Sequence, residues 1–297
     1  MKVILFTKKR LLICISIIYL IILLLFLTIY FYNKISIELA CNSEFSDEFM
    51  NKVKNLTSEK DKIAYLTFDD GPTTLVTPKI LDILKAENIK ATFFVIGQSV
   101  DAHPEIVKRA YEEGHYIANH GYDHNNSVLY KNSKSFINEV KKTDLAIGKA
   151  IGIENYCSHI FRFPNGFMAP LYKSEKKNAV SLLSEMNYTY IDWNCLNKDS
   201  EKKYTTNQLL NNLKQSSKGK NTLVVLMHDT KDVNDSSLVL KDSIDYLKTQ
   251  GYEFKNFYEF IPSQTFWLYY KGQIIFNQLS ALLIIFFDYF YYILQFL

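Results

Sequence analysis

The stretch Ile63-Ala64-Tyr65-Leu66-Thr67-Phe68-Asp69-Asp70-Gly71-Pro72 reads as a buried β-strand that stops abruptly at two adjacent carboxylates and a Gly-Pro turn. Its β-branched and aromatic residues suit a pleated, enclosed surface. Outward from it, short apolar runs of the same kind recur, with amphipathic stretches at helical spacing between them. Strands are predicted over residues 63–68, 91–96, 116–119, 159–163, 188–193, 222–227 and 252–257, and helices over 77–87, 104–113, 133–151, 173–186, 206–216 and 236–249. Strands separated by single helices imply βαβ units and a mainly parallel sheet, and this many of them suggest a barrel or a near-closed variant of one. In such folds the chemistry gathers at the C-terminal ends of strands. Functional residues should therefore end a strand, and structural ones need not.

The flanks differ from this α/β region. Leu11 to Tyr32 carries no charge across 22 positions, enough for a helix to cross a hydrocarbon core of about 30 Å. Lys2, Lys8, Lys9 and Arg10 precede it, which predicts a cytoplasmic stub and an extracytoplasmic bulk. The apolar run is longer than a signal-peptide core, so a retained anchor is expected over residues 1–32. Residues 33–60 are polar and weakly periodic and read as a linker, and residues 61–262 hold the α/β domain. In the apolar tail 263–297, Asp288 would cost on the order of 3 kcal/mol at the centre of a span. An interfacial helix and a second span both remain open there. The net charge of +3 on 297 residues, with lysines spread along helices, makes no case for nucleic acid. The four cysteines are too few for a disulfide scaffold, and Cys157 and Cys195 are expected at opposite ends of the sheet, too far apart to bridge.

Several strand ends carry chemistry. Asp69-Asp70-Gly71-Pro72 is either a tight turn or a divided site, with one carboxylate on a metal and the other serving as a base. Adjacent side chains on an extended chain point apart, so a bend must converge them, and Gly71-Pro72 is expected to supply it. His120-Gly121-Tyr122-Asp123-His124 follows the third strand, and histidines four apart can chelate one cation. With Asp70 they complete a His-His-carboxylate set that leaves positions open for water and substrate. Phe161-Arg162-Phe163-Pro164-Asn165-Gly166 places an arginine in an apolar strand, where it needs a carboxylate, and Asp69 is the obvious partner. Leu226-Met227-His228-Asp229 offers a histidine suited to proton transfer near neutrality, which Asp199 could orient. His103, His115 and His159 do not end strands and are assigned structural roles.

These motifs, in this order, resemble the polysaccharide deacetylases with a NodB homology domain (carbohydrate esterase family 4) over roughly residues 61–262. The Phe-Arg-Phe-Pro and Asp-Trp-Asn stretches are most similar to peptidoglycan N-acetylglucosamine deacetylases. The resemblance implies a distorted (β/α) barrel of seven or eight strands and a divalent cation, commonly zinc, with cobalt or another divalent ion as the alternative. It implies that Asp70, His120 and His124 are metal ligands and that Asp69 is the general base, oriented by Arg162. It further implies that His228 is the general acid, tuned by Asp199, that the Asn165 backbone N–H receives the oxyanion, and that Leu226 lines the pocket for the acetyl methyl. The expected activity is hydrolysis of N-acetyl groups on a cell-wall polysaccharide by a protein in the cell membrane. The alternatives are chitin oligomers, xylan or another exopolysaccharide as substrate, or carbohydrate binding without catalysis. Three departures from the family pattern stand out. Gly121 replaces a usual Ser or Thr, which predicts a looser histidine loop. Asn165 replaces a frequent Tyr, and Ser200 stands where Trp is common.

Overall fold

Strand β1 (Ile63–Asp69) runs one residue beyond its predicted end, so Asp69 is its last residue. The computed structural model describes residues 47–260 apart from 154, 231 and 232, together with residues 19, 20, 22–24 and 27. All of β1 after Ile63 is buried, as expected of a parallel strand covered on both faces. It pairs along its whole length with β7 (Thr222–His228), in a parallel register that runs from Ile63 opposite Thr222 to Asp69 opposite His228. That register alone sets two of the strand-end motifs side by side. On the other edge of β1, β2 (Thr92–Val95) pairs with residues 67–69 and β8 (Glu253–Lys255) with residues 63–65, so two strands share one side.

The sheet has eight strands in the order β5-β4-β3-β2-β1-β7-β6, with β8 on β1, and every pairing is parallel. Here β3 is Tyr116–Asn119, β4 Ile160–Phe161, β5 Thr189–Tyr190 and β6 Cys195–Leu196. The barrel suggested by the sequence is therefore a half-barrel whose ladder ends at β5 and β6. The chain between those two strands, residues 191–194, is too short for the crossover that parallel neighbours require. Asn194 instead bonds sideways to β7. Its Nδ2 donates to the Thr222 carbonyl at 2.8 Å, and its Oδ1 accepts from Val224 N–H at 2.9 Å. The predicted strands 159–163 and 188–193 shrink to two residues each, and just beyond them the Arg162 and Ile191 carbonyls turn to the site, accepting from the His120 and Arg162 side chains.

The predicted helices are present within a residue or two. The longest, Ser133–Ile151, starts where the Asn132 side chain accepts from Ser135 N–H, and Thr206–Ser217 starts with a capping box between Thr205 and Gln208. An aromatic cluster of Tyr130, Phe136, Phe161, Phe163 and Tyr188 packs between the helices and β4. Part of the stretch read as linker is not one. Residues Asp47–Asn55 are helical, and Val53 and Leu56 are buried. Phe49, Met50, Val53 and Leu56 stand at helical spacing, and residues Ser43–Pro262 form one compact unit.

Of the expected anchor, residues 19, 20, 22–24 and 27 are helical, and the remainder lies outside the described residues. Among the described residues, no helix is long and apolar enough to cross a membrane. The tail 263–297 and Cys14 also lie outside them. Cys157 and Cys195 are free thiols, and Cys195 opens β6, a strand not predicted from sequence.

Candidate active site

Asp69 and Asp70 are separated by the backbone itself. Asp70 adopts φ +76, in the left-handed region, and this turns its side chain away from the path of the strand. The bend expected of Gly71-Pro72 thus begins one residue earlier, at Asp70. Such a conformation is costly for a non-glycine residue and is found where function demands it.

The carboxylate of Asp70 meets the two histidines. Its Oδ1 lies 3.3 Å from His120 Nε2 and 3.4 Å from His124 Nε2. Ligand atoms of these three residues all lie within 4.8 Å of one another. His120 Nδ1 is 2.8 Å from the Arg162 carbonyl, which can only accept, so Nδ1 carries the proton and Nε2 presents a lone pair. Asp70 Oδ1 is buried and takes no hydrogen bond in the protein. A buried carboxylate oxygen left without a donor, facing two imidazole nitrogens, is a donor set that fits a divalent cation. Burial works against ionisation of Asp70, but His120, His124 and His228 around it hold its carboxyl well below the usual range.

The loop carrying these histidines is well fastened, contrary to the looseness expected from Gly121. Gly121 N–H donates to Asn119 Oδ1 at 3.0 Å and Tyr122 N–H to Glu139 Oε2 at 3.0 Å. The Gly121 and Tyr122 carbonyls accept from Gly97 N–H and Gln98 N–H, at the start of the helix Gly97–Ala102. Gly121 itself adopts φ +85, which a β-carbon would strain, so the glycine answers a backbone demand.

Arg162 is fully buried, and its guanidinium donates to several partners. Nη1 reaches Asp69 Oδ1 and Thr67 Oγ1, each at 2.7 Å, and Nε reaches the Ile191 carbonyl at 3.0 Å. Its guanidinium also lies 3.9 Å over the Phe94 ring. Asp69 Oδ2 stays outside this pairing, 4.0 Å from His120 Nε2. On the neighbouring strand, His228 Nδ1 donates to Asp199 Oδ1 at 2.7 Å, and Asp199 Oδ2 accepts from His228 N–H at 2.8 Å and from Ser236 Oγ. Nε2 of His228 lies 3.9 Å from Asp70 Oδ2. Burial disfavours its charge, but the Asp199 hydrogen bond and the surrounding carboxylates outweigh that and push the imidazole up to about 9. It is therefore poised to hold a proton at neutral pH.

Leu226 is buried in β7, two residues before His228, hence on the same face of the strand. Asn165 is exposed, with φ +63, and its Oδ1 accepts from Asn126 Nδ2 at 2.9 Å, which fixes a side chain shorter than the usual Tyr. His115 and His159 are buried and bonded to backbone, Nδ1 of His115 accepting from Ala91 N–H and Nδ1 of His159 lying 2.9 Å from the Asn187 carbonyl. Four residues near the site were not singled out as site residues from the sequence: Asn119, Glu139, Asp192 and Ser236. Each has at least one partner distant in sequence, and only Asn119 and Asp192 had a hint, in their places at or next to the ends of predicted strands.

A family model described as polysaccharide deacetylase matches residues 57–191. The chain is 34% identical over 197 residues to the peptidoglycan-N-acetylglucosamine deacetylase PgdA of Listeria monocytogenes, covering 66% of this chain and 38% of that protein's length. It is 31% identical to the peptidoglycan-N-acetylmuramic acid deacetylase PdaA of Bacillus subtilis, covering 68% of this chain and 72% of that one. A solved CE4 esterase of Streptococcus mutans superposes with a TM-score of 0.63 at 30% identity, covering 70% of this chain and 90% of that one.

Proposed function

This chain belongs to the polysaccharide deacetylase family, and from that premise we propose that it hydrolyses the N-acetyl group of N-acetylglucosamine in peptidoglycan. As a member of that family it is a hydrolase of carbon–nitrogen bonds other than peptide bonds. The observation that carries the reading is the convergence of Asp70, His120 and His124 around a donor-free buried oxygen, beside a carboxylate held by Arg162.

A divalent cation on Asp70, His120 and His124, zinc by preference, would polarise the acetyl carbonyl and acidify a water. The protein's own residues do the rest. Asp69, held by Arg162 at Oδ1, takes the proton of the attacking water on Oδ2. The Asn165 N–H receives the developing oxyanion, and Leu226 borders the acetyl methyl. His228, kept charged by Asp199, gives its Nε2 proton to the departing amine as the C–N bond breaks, and acetate leaves. The uncharged run Leu11–Tyr32 behind a basic flank supports a membrane anchor with the catalytic domain outside the cell membrane.

Acetate release from purified peptidoglycan, chitin oligomers and acetylated xylan tests the reading. Peptidoglycan should be the best substrate, with activity lost to a chelator and restored by zinc or cobalt. Mass spectrometry of the product should place the free amine on glucosamine. An amine on muramic acid would reassign the sugar, and glycan binding without acetate would defeat the enzymatic reading.

A further inference from the structure

Between Pro164 and Met168 the backbone has one amide to spare. Pro164 has no N–H. Gly166 N–H donates to the Phe163 carbonyl at 2.7 Å, Phe167 N–H to both oxygens of Asp192 at 2.9 and 3.0 Å, and Met168 N–H to Asp192 Oδ2 at 3.3 Å. Among the described residues, the Asn165 N–H has no protein acceptor. The loop is thus folded so that the amides of Gly166, Phe167 and Met168 are consumed inside the protein and that of Asn165 is left over for a ligand.

Two charged side chains hold this arrangement. Asp192 lies two residues past the end of β5 and binds the loop's amides with both oxygens. Lys176, from the helix Lys173–Glu185, is 1% exposed and donates to the Gly166 carbonyl at 2.6 Å and the Ala169 carbonyl at 3.4 Å. A lysine buried against carbonyls is expensive unless it organises something, and here it gathers the loop's carbonyls as Asp192 gathers its amides. Aromatic packing closes the fit. A β-carbon on Gly166, at φ +82, would come within 2.9 Å of the Trp193 ring, and Phe167 packs on Tyr190 at 4.6 Å.

The same residue also ties the loop to the base. Arg162, which holds Asp69, donates to the carbonyls of Ile191 and Asp192 at 3.0 and 3.5 Å. The backbone at residues 191–192 therefore supports Arg162, while the Asp192 side chain supports the loop.

We propose that Asp192, assisted by Lys176, is a positioning residue for deacetylation, holding Gly166–Met168 so that the Asn165 N–H stands ready for the oxyanion. This rests on the reading of the chain as an active deacetylase. A purely structural anchor would lower stability without singling out the transition state, and the test separates the two.

Full-length Asp192→Asn and Lys176→Met proteins, loaded with zinc, are compared with wild type in acetate release from peptidoglycan. Their affinity for a methylphosphonamide analogue of N-acetylglucosamine, which mimics the tetrahedral intermediate, is measured alongside. Losing an oxyanion donor outright costs about 10²–10³-fold in kcat, so misplacing one should cost about 30-fold in Asp192→Asn and about 5-fold in Lys176→Met. KM and zinc affinity should stay near wild type, and affinity for the analogue should fall by the same factor as kcat/KM. Lys176→Met removes a buried charge and keeps the stem, so it reports even where Asp192→Asn fails to fold. Unchanged kcat in the folded variants would overturn the proposal, as would zinc affinity and kcat falling in step. Wild-type protein that releases no acetate from any substrate would fail the functional reading first, and this inference with it.

Discussion

Asp69 with Arg162 and Asp199 with His228 are both carboxylate–cation pairs closed at 2.7 Å, and both border the same ligand set. They differ in the cation and in its access to solvent. The Arg162 side chain is fully enclosed and its guanidinium does not give up a proton, so its pair can only hold Asp69 in place as an acceptor. The His228 side chain is 16% exposed and its imidazole titrates, so its pair can hold a proton and release it. One arrangement of charges is thus suited to a fixed acceptor on one strand and to a proton donor on its neighbour. The lesson is that the protonation chemistry of the cation, more than the geometry of the pair, decides which role a carboxylate supports.

The largest effect is expected at Asp69. Asp69→Asn keeps the shape and the Arg162 contact but cannot accept the water's proton, and kcat should fall about 10³-fold. Zinc affinity by calorimetry should hold, because Asp69 is not among the three residues proposed to hold the ion. Full activity in this variant would end the assignment of the base. Asp199→Asn attacks the other pair. It should lower kcat about 10²-fold with KM little changed, since His228 loses the partner that holds its ring and its charge. An equal loss in both parameters would point to substrate binding instead.

A third buried carboxylate sharpens the contrast, because no cation is paired with it among the described residues. Asp144 is 7% exposed and accepts from Asn119, Ser158 and Tyr188. Burial outweighs those bonds and pushes its carboxyl up to about 6. The folded value lies above the unfolded one near 3.9, so the fold favours the protonated form. Its contribution to stability is greatest below about pH 4 and is lost as pH rises through about 4–6, by roughly 3 kcal/mol. Asp144→Asn should flatten that decline in urea unfolding between pH 4 and 7, with kcat nearly unchanged. A decline of the same size in the variant would remove Asp144 as its source.

Much of the candidate site was legible because the side chains that converge there stand at or just after strand ends, and strand ends can be read from where apolar runs stop. Asp70, His120, His124 and His228 follow that rule, and Arg162 announces its need for a partner by standing in an apolar run. What stayed hidden acts through backbone groups. Lys176 looks like one more charge on the polar face of a helix, and nothing local says that two carbonyls await it. Asp192 gives no sign that it captures amides 25 residues earlier in the chain. The barrel was over-read because periodicity reports that a segment is apolar, and does not report whether its backbone will find a ladder partner.

The order of residue types along the chain determined which strands and helices form, and which side chains of metal-binding and proton-transfer chemistry stand at strand ends. These depend on local pattern, burial tendency and ligand type. The tertiary structure decided that Asp70 turns out of the strand, that the sheet stops at β5 and β6, and that the Asn165 amide is left unspent. Each of those outcomes depends on a hydrogen-bond or packing partner from elsewhere in the chain, and such a partner leaves no mark on the spacing of nearby residues.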